Sequence, residues 1–73
     1  MEIYKAIEDT LTVLGFTDLY VGKGIGPIGS KVYVYGYSDG IPFYFCSMDT
    51  NDDVIDEAIK AMTERRRRWR ANE

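Results

Sequence analysis

The chain has 73 residues, of which 45% are hydrophobic and 29% are charged, and its formal net charge is −3. Such a composition is typical of a globular protein rather than a disordered one, and the length suits one small domain, so we expect residues 1–73 to fold as a single domain. No apolar run approaches the roughly 20 residues that span a bilayer. The N-terminus lacks the pattern of a secretory signal, and Cys46 is the single cysteine. We therefore expect a cytoplasmic protein with no membrane contact.

The first predicted element is an amphipathic helix over about residues 2–14. Four apolar residues repeat at intervals of four, four and three positions: Ile3, Ile7, Leu11 and Leu14. This spacing places them on one helical face. Gly15 follows directly, and glycine is the residue that most often closes a helix in the left-handed conformation. The pattern predicts a helix that ends at Gly15 and packs on another layer.

Three segments rich in Val, Ile, Tyr and Phe follow, at about 18–21, 31–37 and 41–47, and they predict strands. Asp39 and Gly40, between the last two segments, favour a two-residue hairpin turn because both positions of that turn need a positive φ. The predicted strands therefore form an antiparallel meander.

The hairpin turn fixes the pairing and sorts the side chains into two faces. The aliphatic face holds Val32, Val34, Ile41, Phe43 and Phe45. The opposite face, called the tyrosine face below, holds Tyr20, Tyr33, Tyr35, Tyr37 and Tyr44, together with Cys46. A slip of one residue would mix the two sets, so the sorting supports the register.

A second helix is predicted over about residues 50–70. Its apolar stripe contains Ile55, Ala58, Ile59 and Met62, and Trp69 continues it. Thr50 and Asp53 resemble a capping box at its start. The element order predicts an α+β fold, a two-layer α-β-β-β-α domain in which both helices cover one face of a three-stranded antiparallel meander.

The strongest functional signal is the end of the second helix. The arginine end, as we call it, consists of Arg65, Arg66, Arg67, Arg68, Trp69 and Arg70. Residues 1–63 carry four lysines against ten acidic residues, whereas residues 64–73 carry five arginines against two. Strands of about 20 Å support only part of a helix of roughly 30 Å, so we expect the arginine end to project past the sheet.

Two interpretations of the arginine end stay open. Arg and Trp are enriched at binding hot spots, which favours a contact surface. Alternatively, acidic residues at the start of the helix and basic residues at its end only complement the helix dipole, and Trp69 packs over the end of the first helix.

The chemistry of the arginine end suits an anionic partner. Guanidinium groups bind carboxylates and phosphates, and an indole stacks on a base. Nucleic-acid modules are usually basic across a whole face, whereas this chain is net acidic, so the sequence favours a protein partner. The alternative function is a nucleic-acid-binding protein that uses the same arginine cluster with Trp69 stacking. Pairing of the arginines with the acidic helix start of a second copy also remains open.

The tyrosine face is a second predicted interface, most simply for a homodimer, because contiguous aromatic patches on small proteins usually mark contacts. The alternative is a solvated sheet face that β propensity explains. Ile25 and Ile28 lie on the glycine-rich connection between the first two strands and predict a loop contact with a partner.

Motifs that resemble enzymatic sites lack their context. Gly24 to Gly29 matches the G-x-G-x-x-G pattern, but a strand follows where the dinucleotide-binding motif opens a helix. Asp49, Asn51 and Asp53 match the start of a calcium loop, but Val54 occupies the glycine position. The chain has no histidine, the commonest general base, and Cys46 therefore has no histidine to activate it. We expect no catalytic residue, no metal site and no cofactor.

The sequence thus predicts a small non-enzymatic binding protein that acts through protein–protein contacts. Adaptors and inhibitors of larger machines, including those that mobile elements encode, have this general character. The arginine end is the expected charged contact and the tyrosine face the second one.

Overall fold

The computed structural model describes residues 2–24 and 29–72. The elements in chain order are α1 (Ile3–Val13), β1 (Thr17–Gly22), β2 (Val32–Ser38), β3 (Ile41–Ser47) and α2 (Asp53–Ala71). The strands form one antiparallel sheet in the order β1-β2-β3, and the helices form a second layer. The predicted α+β class and element order are confirmed. Neither helix of the described residues is long and apolar enough to cross a membrane.

Helix α1 ends in a Schellman motif that turns the chain into β1. The Phe16 N–H donates to the Leu11 carbonyl at 3.0 Å, and the Gly15 N–H donates to the Thr12 carbonyl at 3.1 Å. Gly15 has a φ of 95°, as expected for the left-handed residue of this motif. Leu11 and Phe16 are both buried, so an apolar contact accompanies the turn.

The β2–β3 hairpin has the predicted turn and register. Asp39 and Gly40 both have a positive φ, of 55° and 78°, as a type I′ turn requires. Ser38 pairs with Ile41, and the pairing continues without a slip to Ser47. The aliphatic and tyrosine sets therefore lie on opposite faces of the sheet.

The β1–β2 pairing contains an irregularity that the sequence did not predict. The register shifts between Thr17 and Tyr20, and Asp18 adopts a φ of 51° there, a conformation that Asp tolerates better than most residues. Gly36 of β2 makes room at this place, because a Cβ on Gly36 would lie 2.5 Å from Leu19 Cδ2. The shift places Tyr20 beside Tyr35 on the tyrosine face.

The core lies between the helices and the aliphatic face of the sheet. Its buried apolar residues come from both layers: Ile7, Leu11, Phe16, Val32, Val34, Phe43, Val54, Ala58 and Met62. All of these residues lie on the side of the sheet that the helices cover. Among the described residues, no second layer packs on the opposite face of the sheet.

The start of α2 differs from the predicted capping box. The helix begins at Asp53, and the residue before it makes no side-chain capping bond. Instead, the Asn51 side-chain oxygen accepts a hydrogen bond from the Asp53 N–H at 3.1 Å. The prediction that Thr50 and Asp53 form a capping box is wrong. The side chain of Asn51 instead forms a local turn by accepting the hydrogen bond from the residue two positions later in the chain.

Candidate binding surfaces

Arg66 points into the protein rather than toward solvent. Its Nη1 donates to the Leu14 carbonyl at 2.7 Å and lies 3.4 Å from the Ser38 hydroxyl. The Arg66 Cζ is 4.4 Å from the ring centroid of Phe16. Leu14 is the C-cap residue directly after α1, so a cation of α2 stabilises the carbonyl end of α1. The guanidinium of Arg66 is thus occupied within the molecule.

Arg70 provides a second link between the arginine end and the body of the protein. It lies one helical turn after Arg66, and its Nη2 is 3.1 Å from Asp39 Oδ2 in the hairpin turn. The two side chains are 54% and 76% exposed, so this ion pair contributes little to stability. The expectation that the whole arginine end projects past the sheet is wrong for Arg66 and Arg70. Their side chains contact the end of α1 and the β2–β3 hairpin, which lie beside the last turns of α2.

The remaining arginines and the tryptophan face outward. Arg67 and Arg68 are exposed, and neither forms a side-chain hydrogen bond or ion pair with the described part of the chain. Trp69 keeps 47% of its surface exposed. Arg65 is also exposed, and its Cζ lies 5.9 Å from the ring centroid of Tyr44. Of the residues predicted for the arginine end, Arg67 and Arg68 therefore have no side-chain partner among the described residues, and Trp69 keeps about half of its surface exposed.

The contact of Arg66 with the end of α1 and the contact of Arg65 with Tyr44 were not predicted from the sequence. Arg66 follows Met62 by four residues and so continues the buried stripe of α2, which is a usable signal for an inward position. No sequence signal indicates the contact of Arg65 with Tyr44, because it depends on where α2 crosses β3.

The tyrosine face carries a continuous run of aromatic rings. The ring centroids of Tyr33 and Tyr35 are 6.3 Å apart with an interplanar angle of 27°, and Tyr35 meets Tyr37 edge-on at 5.6 Å. Tyr20 lies 6.1 Å from Tyr33, and the hydroxyl of Tyr20 donates to the Lys23 carbonyl at 2.7 Å. Such contacts hold the rings in fixed mutual orientations.

Tyr35 occupies the centre of the tyrosine face. It pairs with Tyr20 on β1 and with Tyr44 on β3. The nearby Tyr37 hydroxyl, aided by partial desolvation, raises the pKa of Tyr35 above the usual 10.0. Tyr35 is therefore uncharged at neutral pH.

Among the described residues, the paired strand positions that project from the open face of the sheet carry no charge. Alternation along the three strands gives the residues that project from it: Thr17, Tyr20, Gly22, Tyr33, Tyr35, Tyr37, Pro42, Tyr44 and Cys46. Cys46 is a free, exposed thiol. Arg65 reaches the rim of this face at Tyr44, so the arginine end and the tyrosine face are neighbours around the edge of β3.

The remaining predicted features add no site among the residues that the structure describes. Ile25 and Ile28, the predicted loop contact, lie outside the described residues. Within residues 2–24 and 29–72, no group of three or more His, Cys, Asp or Glu side chains is arranged to hold a metal ion. Asn51, which matched a calcium-loop position, instead accepts the Asp53 N–H at the start of α2.

Comparison with known proteins gives no relative. The chain matches no protein-family model, no curated protein and no solved structure. The chemistry of the two surfaces is therefore the basis for assigning a function.

Proposed function

We propose that the protein is a non-enzymatic adaptor or inhibitor that binds an acidic surface of a partner protein through the arginine end. The observation that supports this proposal is that the residues of the arginine end fall into two groups, one bound within the molecule and one exposed. Arg66 and Arg70 bind the molecule's own Leu14 and Asp39, whereas Arg67, Arg68 and Trp69 are exposed.

The internal contacts of Arg66 favour binding because they reduce its entropic cost. A helix end that is already held against the body loses less freedom on association than a free tail does. The exposed residues of this helix end are also of the types that dominate measured interface energies, namely Arg and Trp. An apolar indole between cations suits a partner that presents carboxylates around an apolar residue.

Charge outside the arginine end favours a protein over a nucleic acid. The start of α2 carries Asp52, Asp53 and Asp56, all exposed, and the chain has a net charge of −3. A polyanion that extends beyond the arginine end meets this negative potential, whereas a compact acidic patch on a protein does not. Nucleic-acid binding with Trp69 stacking on a base is the second candidate, supported by the exposed indole among the arginines.

Site-specific photo-crosslinking in the cells of origin tests the proposal. A photoreactive phenylalanine analogue replaces Trp69, and in a matched control it replaces Met48, which is 59% exposed after β3 and away from the arginine end. We expect discrete protein adducts at position 69 that are absent at position 48. The double variant Arg67→Glu/Arg68→Glu should abolish these adducts while the protein stays folded.

Two other results would count against a protein partner. Adducts at position 69 that disappear with nuclease would support nucleic-acid binding. Quenching of Trp69 fluorescence by oligonucleotides that weakens steeply as the salt concentration rises would also support nucleic-acid binding. Phosphate contacts release counterions, so their affinity falls with salt. Identical adduct patterns at positions 69 and 48 would remove the arginine end as a binding surface.

A further inference from the structure

We infer that the tyrosine face joins two copies of this chain in a homodimer. This inference does not depend on the proposed role of the arginine end, because it rests on different residues and on a different layer of the molecule. Three properties of the face support it: its lack of charge, its exposed area and the fixed arrangement of its rings.

Charge distribution favours the sheet face over the helix layer for self-association. None of the paired strand residues that project from the open face is charged, and Asp18 lies at the register shift of β1, outside this pairing. The helix layer, in contrast, presents exposed acids such as Asp9, Asp53 and Asp56. Two copies of a net acidic chain repel each other wherever these acids meet, and like-charge contacts at an interface are costly. Contact through the tyrosine faces keeps the acids of both copies on the outer sides.

The exposed area of the face suits a weak but specific dimer. Tyr20 and Tyr44 are 45% and 56% exposed, and Tyr33, Tyr35 and Tyr37 are half-buried. With Pro42 and Cys46, these exposures amount to roughly 500 Å² per copy, given about 200 Å² for a whole tyrosine. Two such faces bury about 1,000 Å², at the lower limit of specific interfaces. Interfaces of this size are typical of weak, transient complexes.

The fixed ring geometry reduces the cost of forming the dimer. Tyr33, Tyr35 and Tyr37 already pack on one another with centroid separations of 6.3 and 5.6 Å. Tyrosine offers a large contact area and loses little conformational freedom on binding. A nucleic acid would also stack on such rings, but among the described residues the face has one cation–π contact, with Arg65.

A charge exchange at Tyr35 tests the dimer directly. Tyr35 lies in the middle of the central strand between Tyr20 and Tyr44, so symmetric pairing of two faces places the two copies of residue 35 near each other. Tyr35→Lys and Tyr35→Glu each put like charges together in a homodimer, whereas an equal mixture of the two variants puts opposite charges together.

Sedimentation equilibrium of the full chain over about 5 to 500 µM covers a micromolar constant. We expect the wild-type protein to dimerise within this range and each single variant to dimerise at least about tenfold more weakly. The mixture should regain much of the lost affinity. Val13→Lys, at a position of α1 that is 86% exposed, serves as the matched control and should leave the constant unchanged.

A second measurement needs no variant and covers the case in which residue 35 does not tolerate charge. Cys46 projects from the tyrosine face, so its reaction with a maleimide should slow by about fivefold or more when the wild-type protein is raised from about 5 to 500 µM. A wild-type protein that stays monomeric, or a Cys46 reaction rate independent of concentration, would overturn the inference. Oligonucleotide quenching of the tyrosines in a monomeric protein would assign the face to nucleic acid instead.

Discussion

At the scale of single residues, Arg66 connects three parts of the molecule. Its guanidinium donates to the Leu14 carbonyl at the end of α1, lies 3.4 Å from Ser38 of β2 and covers the ring of Phe16. Hydrogen bonds that involve a charged group contribute about 1.5–3 kcal/mol, and cation–π contacts add about 0.5–1 kcal/mol. An arginine inside a run of arginines therefore acts mainly in stability.

Arg66→Ala should lower the free energy of unfolding by about 2 kcal/mol, because the end of α1 loses its cation and Phe16 loses its cover. Arg66→Lys should recover only part of this loss, since an ammonium does not reproduce the planar fork. Urea unfolding measures both changes. Arg67→Ala is the matched control on the exposed side and should stay within about 0.5 kcal/mol of wild type. Equal losses in Arg66→Ala and Arg67→Ala would contradict an inward role for Arg66.

At the scale of elements, the features that neighbouring residues in the chain determine were predictable, and the features that depend on contacts between distant residues were not. The hairpin register was predictable because Asp39 and Gly40 supply the positive φ values that a type I′ turn needs, and the alternation of side chains agrees with it. The shift in β1–β2 pairing was not predictable, because it depends on Gly36 of one strand making room for Leu19 of another.

The start of α2 was hard to predict for a related reason. Consecutive polar residues precede the helix, and each can accept a hydrogen bond from its first N–H groups. In the structure, Asn51 accepts the bond from Asp53 at 3.1 Å. The path of the chain out of β3 decides between them, and that path is a property of the packed domain.

Substitution of the competing residues separates the two capping models. Asn51→Ala should lower the free energy of unfolding by about 1 kcal/mol because the Asp53 N–H loses its acceptor. Thr50→Ala should change it by less than about 0.5 kcal/mol. For a domain of this size, 1 kcal/mol corresponds to a Tm change of about 4–8 °C, which thermal unfolding resolves. A larger loss in Thr50→Ala than in Asn51→Ala would restore the capping box.

At the scale of the whole molecule, the two proposed surfaces meet at one residue. The candidate surfaces themselves were predictable, because strand alternation gathers the tyrosines and the arginines are consecutive in the chain. Their adjacency was not, since it arises where α2 crosses β3 and brings Arg65 to within 5.9 Å of the Tyr44 ring centroid. A homodimer through the tyrosine faces would therefore carry an arginine end beside each rim of its interface.

Arg65 should consequently affect both surfaces, whereas Arg67 should affect one. Partial burial at the rim of the dimer should strengthen the Arg65–Tyr44 contact by about 0.5–1 kcal/mol relative to the monomer, so Arg65→Ala should weaken the dimer about two- to fivefold. It should also reduce the yield of protein adducts at position 69, because a cation next to the tryptophan is lost. Arg67→Ala should reduce the adducts and leave the dimer constant unchanged, as expected for a residue that has no contact with the sheet face. Sedimentation equilibrium and crosslinking on the same two variants measure both effects. An unchanged dimer constant in Arg65→Ala would mean that the interface ends at Tyr44 and that the two surfaces act independently.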